Sequence, residues 1–390
     1  KNLTQDVKIY YLAETGNEDV ILSKLLDHYA AESSHLSWEL KDPALYPTFA
    51  TQYGATDVTN GSLILVCGEN STVLDAADLY EEDYSNYSLT GTSSVTFDGE
   101  NKITSAIYRL TSGEEHHAYY TTNHGEQTLT DTLTSALENQ NLTLTGLDML
   151  SDSIPEDCDL LVINNPVQDF ASAGALVDEM SDLRGYLSRG GKLLITTDSY
   201  NRTPNLDALL AEFGLSRTEG LVVEGDSSHS MNGYPTYLLP DYASAVESGV
   251  LDNVDKNRGV LLQDVISEAL LTTSAEAYSK TAGYEMTTLT QEDGDPDGPF
   301  TLAAYARNEN TEAEVIWIDC GNMDNEGIYQ VLPGNVTFLQ ACATTLAFEE
   351  STTLIESKAL EAAPLEVSNS TSVALGLTFV IVLPAAVLAA

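Results

Sequence analysis

Cys158-Asp-Leu-Leu-Val-Ile-Asn-Asn-Pro166 and Tyr186-Leu-Ser-Arg-Gly-Gly-Lys-Leu-Leu-Ile-Thr-Thr197 decide the fold. Each holds an unbroken apolar run, Leu160 to Ile163 and Leu193 to Ile195, followed at once by turn-forming polar residues. A strand that is apolar at every position is covered on both faces, the condition of a parallel sheet between two helical layers. The segment between the runs, Gly174 to Leu187, reads as a helix stopped by Arg189-Gly-Gly191, a C-terminal glycine signal. Upstream lie the strand Ala118-Tyr-Tyr-Thr-Thr122 and a helix over Gln127 to Gln140, with Leu129, Leu133 and Leu137 four apart on one face. A further strand is expected over Leu142 to Leu144. Downstream come the helix Leu206 to Phe213, the strand Leu221 to Val223, a terminal strand pair Phe300 to Arg307 and Glu314 to Asp319, and the helix Asn335 to Phe348.

The beginning of the chain repeats this chemistry on a smaller scale. The strand Val7 to Leu12, the helix Glu18 to Ala31, the half-buried strand His35 to Leu40 and the buried strand Leu63 to Val66 make an α/β layer, with a helix expected over Lys102 to Leu110. The predicted units are therefore an N-terminal α/β domain over 1–112 and a parallel-sheet α/β domain over 113–350, followed by a polar stalk over 351–372.

In open parallel sheets, ligands bind outside the carboxyl ends of the strands. Those ends carry Asn123, His124 and Glu126, then Asn164 and Asn165, then Asp198 and Ser199, and these seven form the candidate ligand-binding set. His124 and Glu126 could be a general acid/base pair or a polar ligand grip. Equally, Glu126 could favour a helix N-terminus electrostatically while Gly125 permits the turn. Ser199 with His124 or His229 is a conceivable nucleophile and base, but no G-x-S-x-G elbow is present, and an Asp-Ser at a strand end commonly caps a turn.

Other motifs are weaker. Asp293-Gly-Asp-Pro-Asp-Gly298 begins like a calcium loop, but its twelfth position is Ala304, so a solvated acidic turn is expected. His116 and His117 lack metal-ligand spacing and are expected on the surface before the strand. There is no Walker lysine motif and no G-x-G-x-x-G, so neither cofactor nor nucleotide hydrolysis is expected. The four cysteines are far apart and read as buried free thiols.

The 390 residues contain 60 Asp+Glu against 16 Lys+Arg, a formal charge of −44 that excludes a nucleic-acid partner. At 43% hydrophobic residues, the chain has ample material for cores and is not a disordered acidic tail. Eight N-x-S/T sequons, Asn141 and Asn335 among them, are explained by Ser/Thr richness. Val373 to Ala390 carries no charge and is nearly all apolar, so it reads as a transmembrane helix cut short, with the acidic domains on the extracytoplasmic face.

Taken together in order, several segments resemble the extracytoplasmic domain of GldG-like (gliding-motility) auxiliary components of ABC transport systems. They are Val7-Lys-Ile-Tyr-Tyr-Leu12, Asp42-Pro with Tyr46-Pro47, Thr122-Asn-His-Gly-Glu126, Cys158 to Pro166, Tyr186 to Ile195, Gly334-Asn-Val-Thr-Phe-Leu339 and Ile355-Glu-Ser-Lys358. The resemblance implies a flavodoxin/amidotransferase-like central domain, also similar to one in intraflagellar transport proteins. It implies a membrane-anchored accessory subunit whose partners are a separate permease and ATPase, with a small molecule or polymer as a further ligand. In a class I glutamine amidotransferase the strand after the Gly-Gly would deliver a nucleophilic Cys, whereas this chain reads Ile195-Thr-Thr-Asp198. The implied role is binding without turnover. The alternatives are a surface-anchored hydrolase or amidase using His124, Glu126 and Asp198, and a purely structural scaffold.

Overall fold

The computed structural model describes residues 3–55, 59–83, 94–112, 116–198, 200–217, 220–231, 233–243, 262–263, 270–330, 332–348 and 358–359. Ser199 and the apolar segment 373–390 lie outside the described residues. Within them, no helix is long and apolar enough to cross a membrane.

The N-terminal unit is built on β1 (Val7–Leu12), β2 (Leu36–Lys41), β3 (Leu63–Cys67) and β4 (Asn70–Leu74), in the order β2-β1-β3-β4. β1 runs parallel to β2 and antiparallel to β3. Alternation on β1 sends Val7, Ile9 and Tyr11 into one core, shared with Leu22 and Leu26 of α1 (Val20–Glu32) and Ile103 and Ile107 of α2 (Gly99–Ser112). Asp19 starts α1 by accepting the Ile21 and Leu22 N–H groups, which would otherwise have no partner in the first turn. The expected start at Glu18 therefore moves two residues on. A small sheet of β5 (Tyr80–Asp83) and β6 (Ser94–Phe97) adjoins it.

The larger unit is a three-layer sandwich. Its strands are β7 (His116–Thr122), β8 (Leu142–Asp148), β9 (Cys158–Asn164) and β10 (Lys192–Thr196), then the short β11 (Leu221–Val223), β12 (Ser230–Met231), β13 (Tyr234–Leu238), β14 (Asp241–Tyr242), β15 (Leu262–Gln263), β16 (Leu271–Thr272) and β17 (Tyr278–Lys280), and finally β18 (Thr301–Arg307) and β19 (Glu314–Ile318). Eight of these form one sheet, β14-β16-β18-β19-β10-β9-β7-β8. The run β19-β10-β9-β7-β8 is parallel throughout, and β18 pairs antiparallel with β19. Counted along the chain, the five parallel strands stand in the order 2-1-3-4-5, the flavodoxin-like winding.

Successive residues of the central strands alternate between two cores, as a pleated sheet covered on both faces requires. Leu161, Ile163, Leu193, Ile195, Val315 and Trp317 pack with α4 (Glu179–Ser188) and α5 (Pro204–Ala211). Leu160, Val162, Leu194, Ile316 and Ile318 pack with α3 (Asp131–Glu138) and α7 (Gly334–Ala347), the latter preceded by the single turn α6 (Glu326–Tyr329). The predicted helix from Gln127 begins only at Asp131, because Thr130 caps it through the Leu133 N–H. The helix predicted from Gly174 begins at Glu179, capped by Asp178. All four cysteines are buried and free. Burial drives the Cys158 thiol up to about 11, so it stays protonated and inert.

Two elements differ from expectation. His116 and His117 are part of β7 rather than surface residues preceding it, and both are half-buried, with the His116 ring edge-on to Phe348 at 4.6 Å. Within the segment read as a stalk, β20 (Lys358–Ala359) pairs antiparallel with β6, joining the small sheet of the N-terminal unit.

Candidate functional site

The winding order reverses between β7 and β9, and the crevice at that switch point is where such sheets take their ligands. The turn after β7 enters it through Asn123 and Gly125, both in the left-handed region at φ 77° and 72°. That geometry turns the His124 side chain inward, where it is only 3% exposed. Its Nδ1 lies 3.0 Å from Glu126 Oε1, and its Nε2 lies 3.1 Å from Oε2 and 3.0 Å from Oε1 of Glu179 at the start of α4. The ring stacks on Phe170 with centroids 4.0 Å apart. Burial alone would push the imidazole toward neutrality, but the bonds to Glu126 and Glu179 outweigh it and raise the pKa. Burial works against ionisation of Glu126 too, yet the bond to His124 and the N–H groups it accepts lower its pKa. The cluster is a buried imidazole held between two carboxyl groups, with its protonated form favoured.

The backbone around it is equally committed. The His124 carbonyl accepts the Val167 and Gln168 N–H groups, and the Gln127 N–H donates to the Asn164 carbonyl, stitching the β7 and β9 turns together. Asn164 is buried: it donates to the Gln127 carbonyl and Asp324 Oδ2, and accepts the Thr196 hydroxyl at 2.7 Å. Asp324 in turn accepts from Thr130 N–H and the Tyr329 hydroxyl. Burial raises the Asp324 pKa.

Directly after β9, Asn165 sits at φ 50° and its amide bonds the Gly321 carbonyl and Asn201. Asp198 accepts the Tyr200 N–H at 2.8 Å and the Tyr284 hydroxyl at 3.3 Å. Asp319, the first residue after β19, is fully buried, with Oδ1 accepting the Thr197 hydroxyl and lying 3.9 Å from Arg217 Nη1. Its Oδ2 has no hydrogen-bond partner. Burial pushes this carboxyl up to about 7, against the opposing pull of Arg217. Arg217 also pairs with Asp207 at 2.9 Å and lies over the Trp317 ring.

Six of the seven candidate residues thus lie at one sheet edge, but not in one constellation. His124 and Glu126 touch each other and Asn164 joins the adjoining network. Asn165 and Asp198 line a separate patch one strand away. Asn123 points outward and bonds Asp148. No hydrogen bond or ion pair among the described residues links Asp198 to His124 or Glu126. Sequence reasoning missed Glu179, Phe170, Asp319 and Asp324. The signal for Asp319 was present, an acid directly after the apolar run Val315 to Ile318. Glu179 carried none, since it reaches His124 from 55 residues away.

The acidic turn at 293–298 is exposed at most positions, as expected, and is tied down through Asp295. Lys280 Nζ, from β17, pairs with Asp295 and Glu292 at 2.7 Å each, so an ammonium stands where a calcium loop would hold its ion. His229 bridges Asp226 and Asp241 at 3.1 Å each. No cluster of metal-ligating side chains occurs among the described residues.

No protein-family model matches this chain, and no curated protein does either. Among solved structures, it is distantly similar to the mmIFT52 N-terminal domain, at 15% identity and a TM-score of 0.44 over 60% of this chain and 99% of that one. It is similar to a ThuA-like protein from Parabacteroides merdae at 15% identity and a TM-score of 0.35, over 62% and 93%. PurLQS from Thermotoga maritima aligns at 13% identity and a TM-score of 0.30, over 58% and 98%. Scores this low support no argument about function, and the strand order itself establishes the fold.

Proposed function

We propose that this chain is the non-catalytic, extracytoplasmic interaction domain of a membrane-anchored accessory subunit of an ABC transport system. One observation supports the absence of catalysis: the switch-point crevice is filled by the protein's own side chains, with both His124 nitrogens facing carboxylates and its ring covered by Phe170. A general base needs a free nitrogen within reach of the proton it takes. The hydrolase alternative would use His124, Glu126 and Asp198, and among the described residues no hydrogen bond or ion pair joins Asp198 to the other two. The transporter half of the proposal rests on the ordered resemblance to GldG-like components, with ATP hydrolysis left to a separate subunit. The high negative charge is consistent with a surface kept off anionic lipid.

A screen of the membrane-embedded protein against ester, amide and glycoside substrates is expected to show no turnover. Turnover by the wild type that disappears in a folded His124→Gln variant would overturn the proposal and restore the hydrolase.

A further inference from the structure

The N-terminal sheet has a second face, opposite α1 and α2. On β1 it presents Lys8 and Tyr10, and on β2 Glu39 and Lys41, because Val7, Ile9 and Tyr11 face the core and Trp38 and Leu40 pack against it. The chain leaving β2 folds back over this face. Asp42 anchors that return, its carboxylate accepting the Thr15 N–H and hydroxyl and the Ala44 N–H. The far end is pinned by aromatic contacts, with the Tyr10 ring 4.8 Å from Phe49 and 5.9 Å from Tyr53.

Between loop and sheet lies a cavity of about 290 Å3. Leu12, Pro43, Pro47, Phe49 and Ala50 make its apolar walls, and Lys41 is the one charged residue lining it. The Lys41 ammonium lies 5.6, 5.2 and 5.3 Å from the Tyr10, Tyr46 and Phe49 ring centroids, within cation–π range of each. It donates to Glu39 at 2.6 Å, but Glu39 is shared with Lys8 at 3.4 Å, and an ammonium has three donors. A largely apolar hollow with a few polar groups, here the Lys41 ammonium with Tyr46, Thr51 and Thr59, is the usual make-up of a small-molecule site, and the volume is just under the lower end of the range. The acidic surface elsewhere acts weakly here, being screened over about 8 Å at physiological salt.

We propose that this cavity binds a compact organic acid, its carboxylate at Lys41 and its apolar body between the prolines and Phe49. The site is separate from the sheet edge of the larger unit, and its success or failure leaves the preceding reading untouched.

Titration calorimetry of the whole protein with phenylacetate, hexanoate, 2-phenylethanol and 2-phenylethylamine tests it. Saturable binding of at least one acid is expected, with 2-phenylethanol at least tenfold weaker than phenylacetate and the amine showing none. Lys41→Met keeps the chain length and removes the charge, and is expected to abolish the preference for phenylacetate over 2-phenylethanol. Ala50→Phe fills the hollow and is expected to abolish binding of all four. Absence of binding by both acids, an unchanged preference in Lys41→Met, or undiminished phenylacetate binding in Ala50→Phe would overturn the proposal. If Lys41→Met does not fold, Ala50→Phe decides.

Discussion

Asp319 and His124 hold their charge states by opposite routes, and each gives a pH signature. Asp319 is buried, and its carboxyl is pushed from 3.8 to about 7. The folded chain therefore keeps a proton that the unfolded chain has released, so stability falls as pH rises between about 4 and 7. A displacement of that size is worth on the order of 4 kcal/mol at full burial. Asp319→Asn has no charge to gain, so its stability relative to wild type should be greater at pH 8 than at pH 5 in urea unfolding; an equal difference at both would contradict the buried acid. For His124 the folded pKa is raised above 6.5, so its contribution is complete below that value and is lost as pH climbs through the raised one. Removing the cation in His124→Gln leaves Glu126 and Glu179 facing each other without it. Breaking such a buried pair costs about 3–5 kcal/mol, which urea unfolding at pH 6 would read directly. His124 and Glu126 were legible in the sequence as a pair at a strand end. Their closed state was not, because Glu179 and Phe170 reach them only through tertiary packing.

At the scale of elements, the turn after β19 and the acidic turn after β17 carry the expectations. A Cβ on Gly321 would lie 2.5 Å from Asn165 Nδ2, 2.8 Å from Asp198 Oδ2 and 2.9 Å from Asp198 Cβ. Gly321→Ala must push the β19 turn away from β9 and β10, and overpacking of this kind costs roughly 1–3 kcal/mol. A thermal midpoint equal to wild type would show that the turn gives freely. Lys280→Met leaves Asp295 and Glu292 without their shared cation, and calorimetry should show a lower midpoint than wild type. The elements themselves were largely readable: β9, β10 and β19 announce themselves as apolar runs, and α3 by its leucine spacing. Helix starts were read early because the caps at Thr130 and Asp178, not the apolar period, set them. The neighbour of β19 was not readable. As half of a terminal hairpin with β18 it was expected, but its parallel partnership with β10, which brings Asp319 to the edge, is a long-range pairing without local signature.

For the whole molecule, a flavodoxin-like sandwich with a small α/β unit beside it presents a formal charge of −44 and a switch-point crevice already occupied by its own residues. The proposed role gives such a surface a neutral or basic protein partner. The fold class followed from the order of strands and helices along the sequence, whereas burial of Asn141 and Asn335 within it, which removes both sequons as glycosylation sites, did not. The account stands on the transporter partnership. Affinity purification of the full-length protein from its native membrane in mild detergent, with the retained proteins identified by mass spectrometry, tests it directly. A permease and an ATPase recovered in stoichiometric amounts are predicted. A protein recovered without either would contradict it.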